Sequence, residues 1–169
     1  MAILRATCQG VLAGGERAAW IDGEHIIGPF WQEGPLLVRP KTPRDALRWG
    51  EGLLRCGGFA LVVLAGVEPQ GTEAVRLSRA AHDGGGAFVV LTSSASLASL
   101  RVTSRLLPHG YQWRAGPFAD PAAARAAVID VRVRAPGWNE SARISIPVTP
   151  YDLRLSLDPS LVDRRGVDR

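Results

Sequence analysis

Lysine is almost absent from this sequence: Lys41 is the single one among 20 basic residues, so arginine carries nearly all the positive charge. A phosphate-cradling loop of the GxxxxGK[ST] kind needs glycine amides around the phosphates and a lysine to neutralise them. No such motif occurs, and Lys41 stands in another element. Cysteine is scarce too: Cys8 and Cys56 lie far apart, and neither belongs to a CxxC pair or a Cys/His cluster. Neither a disulfide framework nor a zinc site is suggested, which fits a reducing cytoplasm. His25 and His82 have no further ligand-type residues at metal spacing, so no metal and no cofactor is expected. Long apolar runs are missing as well. The longest, residues 59–67, is about half a membrane-spanning helix, and the N-terminus lacks a charged stretch leading into an apolar block. The expectation is a soluble, cytoplasmic chain with no membrane partner.

What remains is the make-up of an ordinary globule, 169 residues with 46% hydrophobic and 21% charged side chains, enough to bury one core. Residues 1–150 are expected to form the core domain and residues 151–169 a charged tail. The formal net charge of +4 suits a soluble surface as well as a nucleic-acid footprint, and alone decides nothing.

Apolar residues recur at helical spacing over residues 2–12, and Gly14-Gly15 stops that helix. Residues 17–22 read as a buried strand, followed by a loop rich in Gly, Pro and aromatics. A short strand over 36–38 precedes a helix that Thr42 caps, with Pro43 at its first position and Asp45 in its first turn. Strands over 59–64 and 87–91 flank a helix over 72–82. Apolar strands alternating with amphipathic helices give an α/β fold: a mostly parallel sheet with helices on its faces. From residue 94 the pattern changes to a short helix over 94–100 and then two antiparallel hairpins. One turns at Pro108-His109-Gly110 and the other at 136–139, and a short helix over 120–127 lies between them.

The segment Ala18-Ala19-Trp20-Ile21-Asp22-Gly23-Glu24-His25 resembles the part of RecA in which a core strand delivers the catalytic glutamate. The helices and strands that follow keep RecA order. Val131-Arg132-Val133-Arg134 and residues 142–146 resemble the paired strands near the end of the RecA core, so the resemblance spans residues 2–148. It implies a RecA-like fold with the phosphate-binding loop absent. Two further parts depart from the RecA pattern. Leu64-Ala65-Gly66 stands where a RecA-like ATPase places a magnesium-linked aspartate, and Thr92-Ser93-Ser94 where the family has a nucleotide-sensing glutamine. This set of losses, with residues 73–81, 84–91 and 96–101, resembles the ImuA-type proteins of bacterial mutagenesis cassettes, degenerate RecA-like proteins related also to the SulA division inhibitors. The resemblance implies a non-enzymatic accessory role in the DNA-damage (SOS) response and translesion mutagenesis. The partners it implies are RecA, an inactive polymerase-like protein, or single-stranded DNA.

Arg132 and Arg134 alternate with valines, which puts both guanidinium groups on one strand face, and Arg101 and Arg105 have the spacing to share another. By position in the resemblance, Arg132 and Arg134 match basic residues that reach a neighbouring subunit's nucleotide in RecA filaments. Trp20 and Trp49 are expected in the core, and Trp31 and Trp138 in loops where they could stack on bases. The candidate binding set is therefore Arg101, Arg105, Arg132, Arg134 and Trp138, with no catalytic residue. Glu24 lacks phosphates on which to act as a base and is assigned to structuring its loop. Arg76 and Arg79 share a helix face that is expected to be solvated.

Two other functions fit the sequence. A SulA-type division inhibitor would cap a cytoskeletal protein and show no nucleic-acid affinity. A piece of a RecA-like ATPase would carry its phosphate loop on a missing N-terminal part, a reading that Leu64 opposes. In RecA-like folds the strand leading into the phosphate loop lies inside the sheet, and this sequence starts after it. The resulting edge is expected to be covered by residues 152–158, which alternate apolar and polar, or by a second copy in a homodimer.

Overall fold

A computed structural model describes residues 2–23, 34–92, 98–115 and 121–148. Glu24, His25, Trp31 and the segment 149–169, with its expected sheet-covering strand, lie outside the described residues, as does most of the expected helix over 94–100. The chain divides into two compact units, Met1–Arg101 and Val102–Arg169.

The first unit is a parallel four-stranded sheet between helices. Its elements are α1 (Ala2–Ala13), β1 (Ala18–Asp22), β2 (Leu36–Val38), α2 (Pro43–Arg55), β3 (Leu61–Ala65), α3 (Thr72–Gly84) and β4 (Ala87–Leu91), and the strand order is β2-β1-β3-β4. Alternate residues of the strands feed two cores. Ala19, Ile21, Val62 and Leu64 meet Ala46 and Leu54 of α2 and Leu77 and Ala80 of α3 on one face. Ala18, Trp20, Leu61 and Val63 meet Cys8 of α1 on the other. Both central strands are buried along their whole length, which is why they read as unbroken apolar runs.

The α2 start follows the sequence signal: the Thr42 hydroxyl oxygen accepts the Asp45 N–H at 3.1 Å, and Pro43 occupies the first turn, where no backbone donor is needed. At its far end α2 comes against α3 so closely that a Cβ on Gly84 would stand 1.9 Å from the Leu54 carbonyl oxygen. Glu51 of α2 adds ion pairs to Arg55, at 2.9 Å, and to Arg76 of α3. Arg76 is thus tied to α2 as well as facing solvent. Trp49, expected in the core, is 52% exposed. The buried stripe of α2 runs through Ala46, Gly50 and Leu54, and Trp49 sits about 100° round the helix from Gly50.

The second unit is a separate three-stranded antiparallel sheet in the order β5-β6-β7: β5 (Arg101–Ala115), β6 (Pro121–Ala135) and β7 (Trp138–Pro147). Two expectations are corrected here. Residues 108–110 do not reverse the chain; His109 takes a left-handed φ of 66° inside a strand that continues to Ala115. A single residue in that conformation shifts a strand's alternation without folding it back. The stretch 120–127 is not a helix, because Pro121 opens β6. Its alanines favour a helix locally, but membership of the central strand of a three-stranded sheet overrides a weak propensity. The second hairpin turns where expected, on Pro136-Gly137 alone, with Gly137 at φ 76°, the value that the third residue of a type II turn requires.

Candidate functional site

The two-residue turn fixes the register of β6 against β7: Ala135 faces Trp138, Arg134 faces Asn139, Arg132 faces Ser141 and Asp130 faces Arg143. Directly opposed residues of an antiparallel pair share a face. One face therefore carries Asp130, Arg132, Arg134, Asn139, Ser141 and Arg143. The other carries Ile129, Val131, Val133, Ala135, Trp138, Ala142 and Ile144, with one carboxylate, Glu140, opposite Val133.

Three arginines thus converge on the polar face of one hairpin. Arg132 Nε lies 3.3 Å from Asp130 Oδ2, and its side chain stays 62% exposed. Among the described residues no carboxylate pairs with Arg134 or Arg143. The face keeps a net positive charge, with donors spread along two strands and hydroxyl or amide groups at Ser141 and Asn139 between them. Arginine forks of this kind match the oxygens of phosphates or carboxylates.

Arg132 and Arg134 are brought together as the sequence indicated, and Arg143 joins them. It was missed, although counting back from the Pro136-Gly137 turn would have placed it opposite Asp130. Trp138 is surface-exposed, at 49%, but on the opposite face from Arg132 and Arg134. Arg101 and Arg105 are exposed on β5, the strand that pairs with the other side of β6, four residues apart and so on one face of it. An exposed aromatic pair also went unnoticed: Tyr111 and Trp113 on β5 have ring centroids 5.8 Å apart, tilted by 42°. Their i, i+2 spacing on a strand was the signal.

In the first unit, β3 ends in buried Leu64 and Ala65, and the Gly23 N–H donates to the Ala65 carbonyl at 2.9 Å. The carboxylate described at this end of the sheet is Asp22, fully buried on β1 with Arg39 Nε 3.9 Å away. Among the described residues no group of three or more His, Cys, Asp and Glu side chains gathers at metal-binding distance, and no helix is long and apolar enough to cross a membrane.

No protein-family model matches the chain, and no curated protein matches it in sequence. Among solved structures, it is similar to SulA from Pseudomonas aeruginosa. The identity is 24% over 52% of this chain and 87% of that one, with a TM-score of 0.40. At that score the likeness carries no argument about partner or activity.

Proposed function

We propose that the chain is a non-enzymatic accessory protein of the DNA-damage response that acts in the cytoplasm. In this reading it binds RecA and a polymerase-like partner, and it holds single-stranded DNA on the arginine face of the β6–β7 hairpin. The observation that carries the nucleic-acid part is the register that gathers Arg132, Arg134 and Arg143 on one face. The damage-response part rests on the RecA and ImuA resemblance of the sequence. Arg101, Arg105 and the Tyr111–Trp113 pair on β5 supply further phosphate contacts and stacking surface.

Anisotropy of a labelled oligothymidylate, titrated across a range of salt concentrations, tests it. Each phosphate neutralised adds roughly 0.7 to the slope of log affinity against log salt for single strands. Arg132→Ala with Arg134→Ala is expected to lower that slope by about one to two units, and Arg143→Ala by a further unit or less. Binding that is indifferent to all three changes would make this an ordinary solvated face. Complete absence of oligonucleotide binding would favour the SulA-type division inhibitor instead. Calorimetry with magnesium-ATP is expected to show no binding, since the phosphate loop and its lysine are missing from the sequence.

A further inference from the structure

Among the described residues β4 is an outer strand of the parallel sheet, yet its sequence, Ala-Phe-Val-Val-Leu, is that of an inner one. It carries no charge and no proline, the devices by which outer strands avoid pairing with other chains. Its side chains serve both cores: Phe88 packs on the side of α2 and α3, and Val89 and Leu91 on the side of α1. The Ala87 N–H donates to Ala60 O of the neighbouring chain segment at 2.8 Å. By strand alternation the backbone groups of Ala87, Val89 and Leu91 turn inward to β3, and those of Phe88 and Val90 turn outward. Among the described residues no strand takes the outward groups.

α3 gives a second, separate indication. Its core side is Leu77 and Ala80, and Arg76 marks the side that meets α2. At 100° per residue, Ala74, Ser78 and Ala81 lie on the side turned away from α2, which is the side over the outer edge of β4. That side carries no arginine and no carboxylate: Ala74 and Ser78 are small, Ala81 packs against the core and exposed His82 borders it, whereas Arg76, Arg79, Asp83 and exposed Val75 lie on the remaining surface. Small side chains let a second helix approach to the usual interaxial distance of about 8–10 Å.

We infer that β4 is a homodimer seam. Two copies of the chain pair their β4 strands antiparallel about a two-fold axis at Val89, with the two α3 helices packed side by side above it. In that register Phe88 of each copy stands opposite Val90 of the other, so the outward-facing residues, and only those, exchange N–H···O bonds. A strand of uniform apolar character satisfies its own symmetry mate on both faces, the self-complementarity that a two-fold interface needs. The inference is independent of the arginine face on the other unit.

Sedimentation equilibrium of the full chain, with hydrogen exchange read residue by residue, tests the seam. The expected result is a concentration-dependent dimer. The Phe88 and Val90 amides gain protection as dimer forms, and those of Val89 and Leu91 are protected throughout. Ser78→Glu, at the exposed middle of α3, sets like charges against each other across the axis and should weaken dimerisation about tenfold or more. Val90→Pro removes an outward N–H that the ladder to β3 does not use, and should also yield monomers. A wild-type chain that stays monomeric at all concentrations overturns the inference. So does a dimer that forms with unchanged affinity in the Ser78→Glu variant, or one that leaves the Phe88 and Val90 amides exchanging freely.

Discussion

Gly84 and Gly52 occupy helices of the same unit and should respond to alanine with opposite signs. A Cβ at Gly84 would collide with the backbone carbonyl of Leu54, which cannot move without displacing α2. Gly84→Ala is expected to cost about 2 kcal/mol or more, read as a lowered urea midpoint. At Gly52 nothing lies within 4 Å of a built Cβ, and the position is an exposed helix interior. Gly52→Ala should therefore stabilise by about 0.5–1 kcal/mol. The two thiols divide as sharply. Burial pushes the Cys8 thiol up from its ordinary value, because the thiolate would lose its hydration inside the α1 core. Cys56 is exposed, with its Sγ 3.1 Å from the Leu53 carbonyl oxygen. In the native state a thiol reagent should modify Cys56 and reach Cys8 only on unfolding. Raising the pH through the unfolded thiol range should reduce stability, since the unfolded chain then releases a proton that folded Cys8 retains. These contrasts come from packing. The sequence shows three glycines within α2 and α3, Gly50, Gly52 and Gly84, without saying which of them meets a neighbour.

Among the elements, α2 was the most legible. Thr42, Pro43 and Asp45 are a local code for a helix start, and the cap forms as the code implies. Thr42→Ala should cost about 1 kcal/mol, measured by thermal or denaturant unfolding, because it leaves the Asp45 N–H without that acceptor. β2 and β4 were equally clear, since short apolar runs between glycines and prolines have few alternatives. The second unit was not so readable. Residues 120–127 carry an acidic cap residue, a proline and alanines, a sound local helix signal, yet from Pro121 on they are strand, because they continue β6, the central strand between β5 and β7. The turn signal at Pro108-His109-Gly110 was also genuine locally, but its left-handed residue is absorbed within β5. A built Cβ on Gly110 would lie 2.7 Å from the Val128 carbonyl oxygen of β6, so it is the close approach of the neighbouring strand that demands glycine there.

At the scale of the molecule, the two units differ in what holds them together. Both apolar cores belong to the first, where Trp20, Ile21, Leu54, Val62, Val63, Leu64 and Leu77 are essentially inaccessible to water. In the second, the buried residues among those described are Ala124, Ala127, Val131 and Gly110, and Val102, Leu106, Trp113 and Trp138 stand exposed. Three strands without a filled core are marginal alone. A fragment of residues 1–101 is therefore expected to melt cooperatively by circular dichroism, and one of residues 102–169 to lack a cooperative transition. A sharp melt of the second fragment would show that its sheet is closed by contacts beyond the described residues. The sequence by itself determined the alternation of helices and parallel strands in the first unit. Periodicity and caps are properties of neighbouring residues, and buried parallel strands must be apolar on both faces. It also determined that Arg132 and Arg134 share a face, because strand alternation is fixed by backbone geometry. Only the tertiary structure decided that β4 is an outer strand among the described residues and that the chain reverses on Pro136-Gly137 alone, so that Arg143 joins Arg132 and Arg134 and Trp138 turns away from them. Strand order rests on pairing between distant segments, which leaves no mark on the local pattern of either one, and the hairpin register rests on a turn length that the Pro-Gly pair does not fix by itself.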